Sequence, residues 1–305
     1  MTAVPPTAER IGFIGIGNMG APMARNIAAS GRAVIAYDLD LARAQQFAQA
    51  HGALAAQQLA ELGAARIIIT MLPNGQIVRE VLLQQAGGLA QSLQPGTLVI
   101  DMSSSDPVGT RELGPLLARR GITLLDAPVS GAVPRAHTAT LAIMIGCNDR
   151  EAIARARPLL SSMGDKLFET GALGSGHAMK ALNNFVAASG YTAACEALLI
   201  GKRFGLEPGV MIDILNASTG RNFITEAVLK EHVVSGRFAT GFALGLLAKD
   251  VKIAADLGVA VRLDAPLTRL ISDRLALARD RLGPARDNSA ALLAWEDELP
   301  LSRSE

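Results

Sequence analysis

Residues 11–20 read IGFIGIGNMG, an apolar run that leads into a GxGxxG pattern and then into a helical stretch from about Ala21. Each glycine of this pattern has a structural role. Gly15 permits the tight turn, Gly17 lets a pyrophosphate approach the backbone, and Gly20 lets the helix pack against the strand. The helix N-terminus offers unpaired N–H groups and a positive dipole end to phosphates. An ordinary glycine-rich turn is the alternative, and the strand–turn–helix context favours a dinucleotide site.

The same turn and the end of the next apolar run supply the other residues of the predicted cofactor site. Ile16, Asn18 and Met19 lie between the glycines, and Asp38 follows the second run at about the expected spacing of ~20 residues. A carboxylate at this position can accept hydrogen bonds from ribose hydroxyls and repels a 2′-phosphate, which favours NAD over NADP. Arg43, five residues later, keeps NADP open.

Short apolar runs alternate with helix-like stretches through the first half of the chain. The alternation predicts an α/β Rossmann domain with a mostly parallel, doubly wound sheet buried on both faces. The predicted strands are 11–16, 33–37, 66–71, 97–101, 122–127 and 141–145, and the predicted helices are 21–30, 41–50, 76–83 and 107–120.

No strand pattern returns after Gly171, and the second half predicts an all-α C-terminal domain. We expect the chain to divide into a dinucleotide-binding Rossmann domain, residues 1–172, and an all-helical substrate and oligomerisation domain, residues 173–305. The helices predicted in the second domain are 178–204, 208–217, 224–234, 245–257 and 267–282.

Composition excludes several classes of protein. The 305 residues are 50% apolar with a net charge of +1, which is typical of a globular protein and does not indicate nucleic acid or an anionic membrane as a partner. Cys147 and Cys195 lie far apart and the four histidines never form HExxH, so neither a disulfide framework nor a metal site is expected. The first ten residues lack the apolar stretch of a signal peptide, and no run is long enough to span a bilayer. We therefore expect a cytoplasmic protein.

Four segments, in order along the chain, resemble the β-hydroxyacid dehydrogenase family, which includes 3-hydroxyisobutyrate dehydrogenase and tartronate semialdehyde reductase. They are GFIGIGNMGAPMARN at 12–26, DAPVSG at 126–131, GSGHAMKALNN at 174–184 and KDVKIA at 249–254. The resemblance implies an oxidoreductase that transfers a hydride reversibly between NAD or NADP and a small β-hydroxy acid or its semialdehyde. It also implies a C-terminal domain like that of 6-phosphogluconate dehydrogenase, and a homodimer or homotetramer.

Lys180 and Asn184 lie four residues apart on a predicted helix, so they share one face. A lysine in an apolar stretch must have its charge solvated or paired, and from the residues alone a lysine that extends into solvent fits as well as a functional one. The resemblance implies that Lys180 is the general acid/base, which accepts the hydroxyl proton during oxidation or returns it during reduction. Asn184 is then its partner on the substrate hydroxyl, and Ser130 completes the catalytic set.

Ser130 and Gly131 follow a predicted strand at its carboxyl end, the edge where open α/β sheets bind ligands. A plain Ser-Gly turn explains them from the residues alone. The resemblance implies that Ser130, Gly131 and Ala132 hold the acid group of the substrate.

The chain departs from the family pattern just after this motif. Ala132, Pro134 and Ala139 stand where further glycines are expected. Proline fixes φ and removes a donor, and alanine adds a methyl group near the substrate. We therefore expect a reshaped loop in which Arg135 either meets a second anionic group of the substrate or is simply exposed.

Two more strand ends add cofactor candidates. Residues 103–105 are serines before a predicted helix, which capping alone would explain. The resemblance implies that Ser104 lies near the nicotinamide ribose. It also implies that Met71, Leu72 and Pro73 form the loop on the adenine-ribose side.

Lys249 and Asp250 are neighbours on a late helix, and such neighbours usually form an exposed ion pair. The resemblance instead implies that Lys249 reaches the cofactor and that Asp250 binds on the substrate side and helps to close the cleft.

Other functions fit the same frame. One is reduction of a different carbonyl or of an imine in a reshaped pocket, although relatives with the imine activity lack the lysine that is present here as Lys180. Another is a non-catalytic cofactor-binding scaffold, against which the presence of Lys180, Asn184 and Ser130 argues. The substrate and the direction of the reaction stay open among 3-hydroxyisobutyrate, glycerate with tartronate semialdehyde, 3-hydroxypropionate and related acids.

Overall fold

The computed structural model describes residues 9–84 and 88–296. The described residues up to Lys180 form one compact unit, and those from Ala181 onward form a second. The predicted division at residues 172 and 173 lies a few residues before this point.

The first unit contains a nine-stranded sheet in the order β3-β2-β1-β4-β5-β6-β8-β7, with β9 paired to β8. The strands from β3 to β6 in this order are parallel, whereas β8 runs antiparallel to β6 and β7. The mostly parallel sheet is as predicted. The strands are β1 Ile11–Ile14, β2 Val34–Tyr37, β3 Leu54–Ala55, β4 Ile67–Thr70, β5 Leu98–Asp101, β6 Thr123–Asp126, β7 Val129–Ser130, β8 Ala142–Gly146 and β9 Lys166–Gly171.

The parallel strands are mostly apolar because helices cover both faces of the sheet. In β4, Ile67 and Ile69 pack into one apolar cluster and Ile68 into another. The helices of this unit are α1 Gly20–Ala29, α2 Leu41–His51, α3 Gly75–Leu83, α4 Pro107–Ala118, α5 Ala132–His137 and α6 Arg150–Leu160, and α7 Ser175–Phe204 begins here and continues into the second unit.

Side-chain caps fix the starts of several of these helices. Asp40, Asn74 and Asp106 accept backbone N–H groups at the first turns of α2, α3 and α4, and Asp149 does so for α6. The sequence patterns did not predict β3, β7, β9, α5 or α6.

The second unit is helical, as predicted. Its other helices are α8 Pro208–Ala217, α9 Leu244–Ala260, α10 Pro266–Leu282 and α11 Ala291–Glu296, together with a π-helical segment, Thr225–Val234, where the pattern predicted an ordinary helix. Pro208 and Pro266 occupy the first helical turns, where a missing N–H costs nothing. In the core, the hydroxyl of Tyr191 donates to the carbonyl of Ser289 at 2.8 Å.

Within residues 9–84 and 88–296, no helix combines the length and the apolar character needed to cross a membrane.

Candidate functional site

The glycine loop lies at the carboxyl end of β1, between β2 and β4, where the strand order of the sheet reverses. Gly15 has a φ of +97°, which a residue with a side chain rarely adopts, and a β-carbon there would overlap the carbonyl oxygen of Met71. A β-carbon at Gly20 would overlap the carbonyl oxygen of Gly15 and lie 3.1 Å from the ring of Phe13. The loop and the start of α1 therefore require these two glycines for close packing.

Gly17 differs from its neighbours because a β-carbon there would meet nothing within 4 Å. This open space lies next to the N-terminus of α1, where the N-cap residue Met19 provides no side-chain hydrogen bond. A helix N-terminus with uncapped N–H groups and open space before it fits a pyrophosphate. The residues present therefore fit a dinucleotide.

The carboxylate of Asp38 is buried beside this loop and already has partners within the protein. One oxygen accepts the N–H of Ile16 at 2.8 Å, and the other accepts the N–H of Asp40 at 3.0 Å. The guanidinium of Arg43 lies 3.4 Å from the second oxygen. Asp38 thus holds the glycine loop in addition to the ribose contact that the sequence predicts.

The loops after β4 and β5 are tied to one another. The N–H of Leu72 donates to the hydroxyl of Ser103 at 2.9 Å, and Asp101 accepts the hydroxyls of Thr70 at 2.9 Å and Ser105 at 2.6 Å. Ser104 is half-buried between these neighbours. Because parallel strands end at one edge, these loops lie on the same edge of the sheet as the glycine loop.

The predicted substrate loop begins at β7 and continues into the short helix α5. Ser130 ends the strand, and Gly131 has a φ of +137°. The side chain of Arg135 folds back over Gly131, where a β-carbon would lie 2.6 Å from its Cβ, and its outer part is exposed. The amide of Asn26 on α1 donates to the carbonyl of Ala136 at 2.7 Å and ties α5 to the dinucleotide half of the sheet.

Ala132 and Ala139 both adopt the left-handed conformation, with φ of +54° and +58°. This conformation costs roughly 1–2 kcal/mol for a residue with a β-carbon. At two of the three positions where the sequence departs from the glycines of the family, the backbone has the conformation that glycine favours. The reshaped loop itself stays a prediction.

We expect Ala132→Gly to raise the free energy of unfolding. Relief of the left-handed strain, roughly 1–2 kcal/mol, outweighs the ~0.4–1 kcal/mol that added freedom gives the unfolded chain, for a net gain of about 0.5–1 kcal/mol. Denaturant unfolding followed by circular dichroism measures the change. The control is Ala136→Gly on the same helix, buried and without a positive φ, which we expect to destabilise. A loss of stability in Ala132→Gly equal to that of the control would contradict the prediction.

Lys180 lies in the second turn of α7 and is half-buried, and Asn184 follows one turn later and is buried. The glycine-rich start of the helix lies close to the backbone of a neighbouring strand. A β-carbon at Gly176 would overlap the carbonyl oxygen of Met144, and Gly174 has a φ of +86°. The first turn of α7 therefore packs directly on β8.

Asp250, in the second unit, is not part of an exposed ion pair. Its carboxylate is buried, accepts the amide of Asn184 at 2.7 Å and lies 3.1 Å from Nζ of Lys249. The default interpretation of the neighbouring Lys249 and Asp250 as a surface pair is wrong because the helix turns Asp250 inward. This hydrogen bond fixes the orientation of the Asn184 side chain, because only the amide nitrogen can donate to the carboxylate of Asp250.

The sequence patterns did not single out Asp126 and His177, which are buried in the first unit. Asp126 accepts the N–H groups of Gly174 at 2.7 Å and of His177 at 2.8 Å. Both residues lie inside the two motifs DAPVSG and GSGHAMKALNN, and that was the only signal available, because their partners are remote in sequence. In the described part of the chain, no group of three or more His, Cys, Asp or Glu residues could hold a metal ion.

Comparison with known proteins gives the class of this fold and site. Residues 10–171 match the family model for the NAD binding domain of 6-phosphogluconate dehydrogenase, and residues 174–295 match the model for the NAD-binding region of NADP-dependent 3-hydroxyisobutyrate dehydrogenase. These matches define an NAD(P)-dependent dehydrogenase that acts on a CH–OH group.

Similar proteins cover nearly the whole chain. The 2-(hydroxymethyl)glutarate dehydrogenase of Eubacterium barkeri is 36% identical over 97% of both chains, and the 3-hydroxyisobutyrate dehydrogenase of Pseudomonas aeruginosa is 36% identical over 88% of this chain and 91% of its own. The solved structure of Mycobacterium tuberculosis 3-hydroxyisobutyrate dehydrogenase with L-serine matches 95% of this chain and 99% of its own, with a TM-score of 0.83 and 33% identity. The chain belongs to the β-hydroxyacid dehydrogenase family, as its motifs predict.

Proposed function

We propose that the protein oxidises a small β-hydroxy acid to its semialdehyde, reversibly, with Lys180 as general acid/base. One observation carries the proposal. The glycine loop, Asp38, the loops at residues 71–73 and 103–105, and Asp126 all follow or end parallel strands, and Asp126 in turn holds the helix that bears Lys180. The carboxyl edge of an open sheet is where ligands bind.

Lys180 supplies the proton transfer in this scheme. During oxidation the Nζ of its neutral form accepts the hydroxyl proton of the substrate, and during reduction the ammonium form returns it. Oxidised nicotinamide, when bound, supplies the acceptor for the hydride of the carbinol carbon. The amide of Asn184 holds the same hydroxyl, and its hydrogen bond to Asp250 fixes its orientation.

Ser130 and the backbone of Gly131 and Ala132 bind the carboxylate of the substrate. Ser130 is half-buried at the end of β7, and the N–H groups of the following residues begin a short helix. Polar donors at a strand end suit a carboxylate better than an uncharged group. In this scheme the methyl group of Ala132 lies near that acid group.

Asp38 supports a preference for NAD. Its buried carboxylate would repel a 2′-phosphate, and Arg43 is already within 3.4 Å of it. The family resemblance supports the other cofactor contacts that we propose. Met71, Leu72 and Pro73 flank the adenosine ribose, Ser104 lies at the nicotinamide ribose, and Lys249 contributes a positive charge to the cofactor.

We also propose that the enzyme is cytoplasmic and forms a homodimer or homotetramer, and the surface of the second unit supports the oligomer. That unit exposes many large apolar side chains, and exposed apolar surface in quantity marks an interaction site. They include Val186, Ile200, Phe204, Leu206, Val210, Ile214, Val259, Leu263 and Leu270, each at least half exposed.

A substrate panel tests this function. We expect NAD-linked oxidation of at least one of 3-hydroxyisobutyrate, 2-(hydroxymethyl)glutarate, L-serine, glycerate and 3-hydroxypropionate, with a kcat/KM at least about tenfold higher with NAD than with NADP, equivalent to roughly 1.4 kcal/mol. Absorbance of the reduced nicotinamide at saturating cofactor measures each rate. The semialdehydes that correspond to these acids are tested as substrates for reduction with the reduced cofactor. Turnover of cyclic imines but of none of these acids or semialdehydes would favour the imine reductase alternative and contradict the proposal.

A further inference from the structure

Asp126 caps the N-terminus of α7, although it belongs to a different element. It is the last residue of β6 and is fully buried. One carboxylate oxygen accepts the N–H of Gly174 and the other accepts the N–H of His177. The first N–H groups of a helix have no partner within the helix, and here a strand residue 48 to 51 positions earlier provides the acceptors for two of them.

The backbones of two glycines lie close to this carboxylate. A β-carbon at Gly176 would lie 2.8 Å from one of its oxygens, and a β-carbon at Gly146 would overlap the other. A side chain at either glycine would therefore displace the carboxylate. The height and the rotation of the first turn of α7 are therefore fixed by β6.

His177 adds a second constraint on the same turn. Its Nδ1 lies 2.9 Å from the hydroxyl of Thr110, and that hydroxyl donates its single proton to the carbonyl of Asp106. The nitrogen Nδ1 must then be the donor to Thr110. The Nε2 atom lies 3.6 Å from a carboxylate oxygen of Asp101.

The cluster accordingly places one imidazole between two buried carboxylates. Nδ1 of His177 lies 3.8 Å from Asp126, and the second carboxylate, Asp101, is held by Ser105. Burial raises the pKa of Asp126, and the charge of His177 and the two N–H groups oppose that rise. Asp126 from β6, Thr110 from α4 and Asp101 from the end of β5 thus meet at the start of one helix.

We propose that Asp126, assisted by His177, is a positioning residue for catalysis: the pair fixes the first turn of α7 and thereby the place of Lys180. Lys180 follows His177 by three residues, less than one helical turn. This inference rests on the proposed role of Lys180. A proton acceptor displaced by about 1 Å can lose roughly 10²-fold in rate, so a fixed first turn matters for the chemistry.

Asp126→Asn tests the inference, because an amide can accept from only one of the two N–H groups. Asp149→Asn is the matched control, since Asp149 accepts the N–H groups of Glu151 and Ala152 at the start of α6 and touches neither α7 nor the motifs. With the panel acid of highest kcat/KM, we expect Asp126→Asn to lower kcat by roughly 10- to 100-fold with KM and the Kd for NAD within about threefold. Asp149→Asn should retain the wild-type kcat.

Hydrogen exchange provides a readout that does not depend on activity. In the cofactor-free protein, peptides covering residues 174–180 should exchange at least about tenfold faster in Asp126→Asn, while those from α6 stay unchanged. Asp149→Asn should give the reverse pattern. Equal losses of kcat in both variants, or wild-type kcat in Asp126→Asn, would overturn the proposal.

Two further variants keep the outcomes separate. If Asp126→Asn does not fold, Thr110→Val decides, because it removes the acceptor of His177 at nearly constant volume. A lowered kcat with unchanged KM supports the inference, and a wild-type kcat overturns it. Activity that survives Lys180→Ala would overturn the proposed function instead, whereas an inactive Lys180→Ala beside a fully active Asp126→Asn would overturn only the positioning role.

Discussion

Lys180→Ala should lower kcat by about 10²- to 10⁴-fold, the usual contribution of a general acid/base. The variant keeps the helix, because alanine is the residue most compatible with a helix interior, and Lys180 lies in the second turn of α7. The Kd for NAD, measured by fluorescence titration, should stay within about threefold because no group of the glycine loop changes. Absorbance of the reduced nicotinamide measures the rate.

Two companion variants identify which property of the lysine matters. Lys180→Arg keeps the positive charge but cannot give up a proton at neutral pH, so it should be nearly as inactive as the alanine variant. Lys166→Ala removes an exposed lysine of the same unit and should leave kcat unchanged. An arginine variant with more than about a tenth of the wild-type kcat would show that charge, rather than proton transfer, is the contribution of Lys180.

Gly17→Ala and Gly20→Ala should separate cofactor affinity from stability. At Gly17 the added methyl group meets no protein atom within 4 Å but occupies the space that a pyrophosphate would approach. We expect the Kd for NAD to rise by roughly 10- to 100-fold, since a charge-assisted hydrogen bond contributes ~1.5–3 kcal/mol. The free energy of unfolding should be unchanged or slightly higher.

At Gly20 the same methyl group overlaps the carbonyl oxygen of Gly15 and touches Phe13. Overpacking of this kind costs ~1–3 kcal/mol or more, so the unfolding midpoint should fall well below that of Gly17→Ala. Circular dichroism during denaturant unfolding and a fluorescence titration with NAD measure the two quantities. Equal stability of the two variants would show that α1 can shift away from β1, contrary to the packing described here.

Sequence patterns predicted the parts of the fold whose signal is local. The six predicted strands are short apolar runs, the predicted helices repeat their apolar residues at the helical period, and the ends of these elements agreed within a few positions. β7 and α5 were not predicted because two and six residues are too few for a periodic pattern to repeat. The helix α6 was not predicted because two of its four buried residues are alanines, which give a weak apolar signal, and because it contains Pro158.

In the candidate site, too, the sequence predicted the parts whose signal is local and missed the contacts between distant residues. The glycine loop follows from residues 15–20 alone, because the turn, the helix and the strand are neighbours in sequence. The partners of Asp126 and of Asn184 lie 48 to 66 residues away, and no single pattern connects them. Such contacts depend on the order of strands in the sheet and on which face of α9 turns inward, and both are properties of tertiary packing.

The double duty of Asp38 constrains any redesign of this enzyme. A conventional route to NADP would exchange the acidic residue after β2 for a small or basic one. Here the same carboxylate accepts the N–H of Ile16, so its removal would leave a buried donor of the glycine loop unpaired. An engineer who wanted the phosphorylated coenzyme would have to supply a replacement acceptor for that amide in the same design, or accept a coenzyme loop that is loosened for both nucleotides.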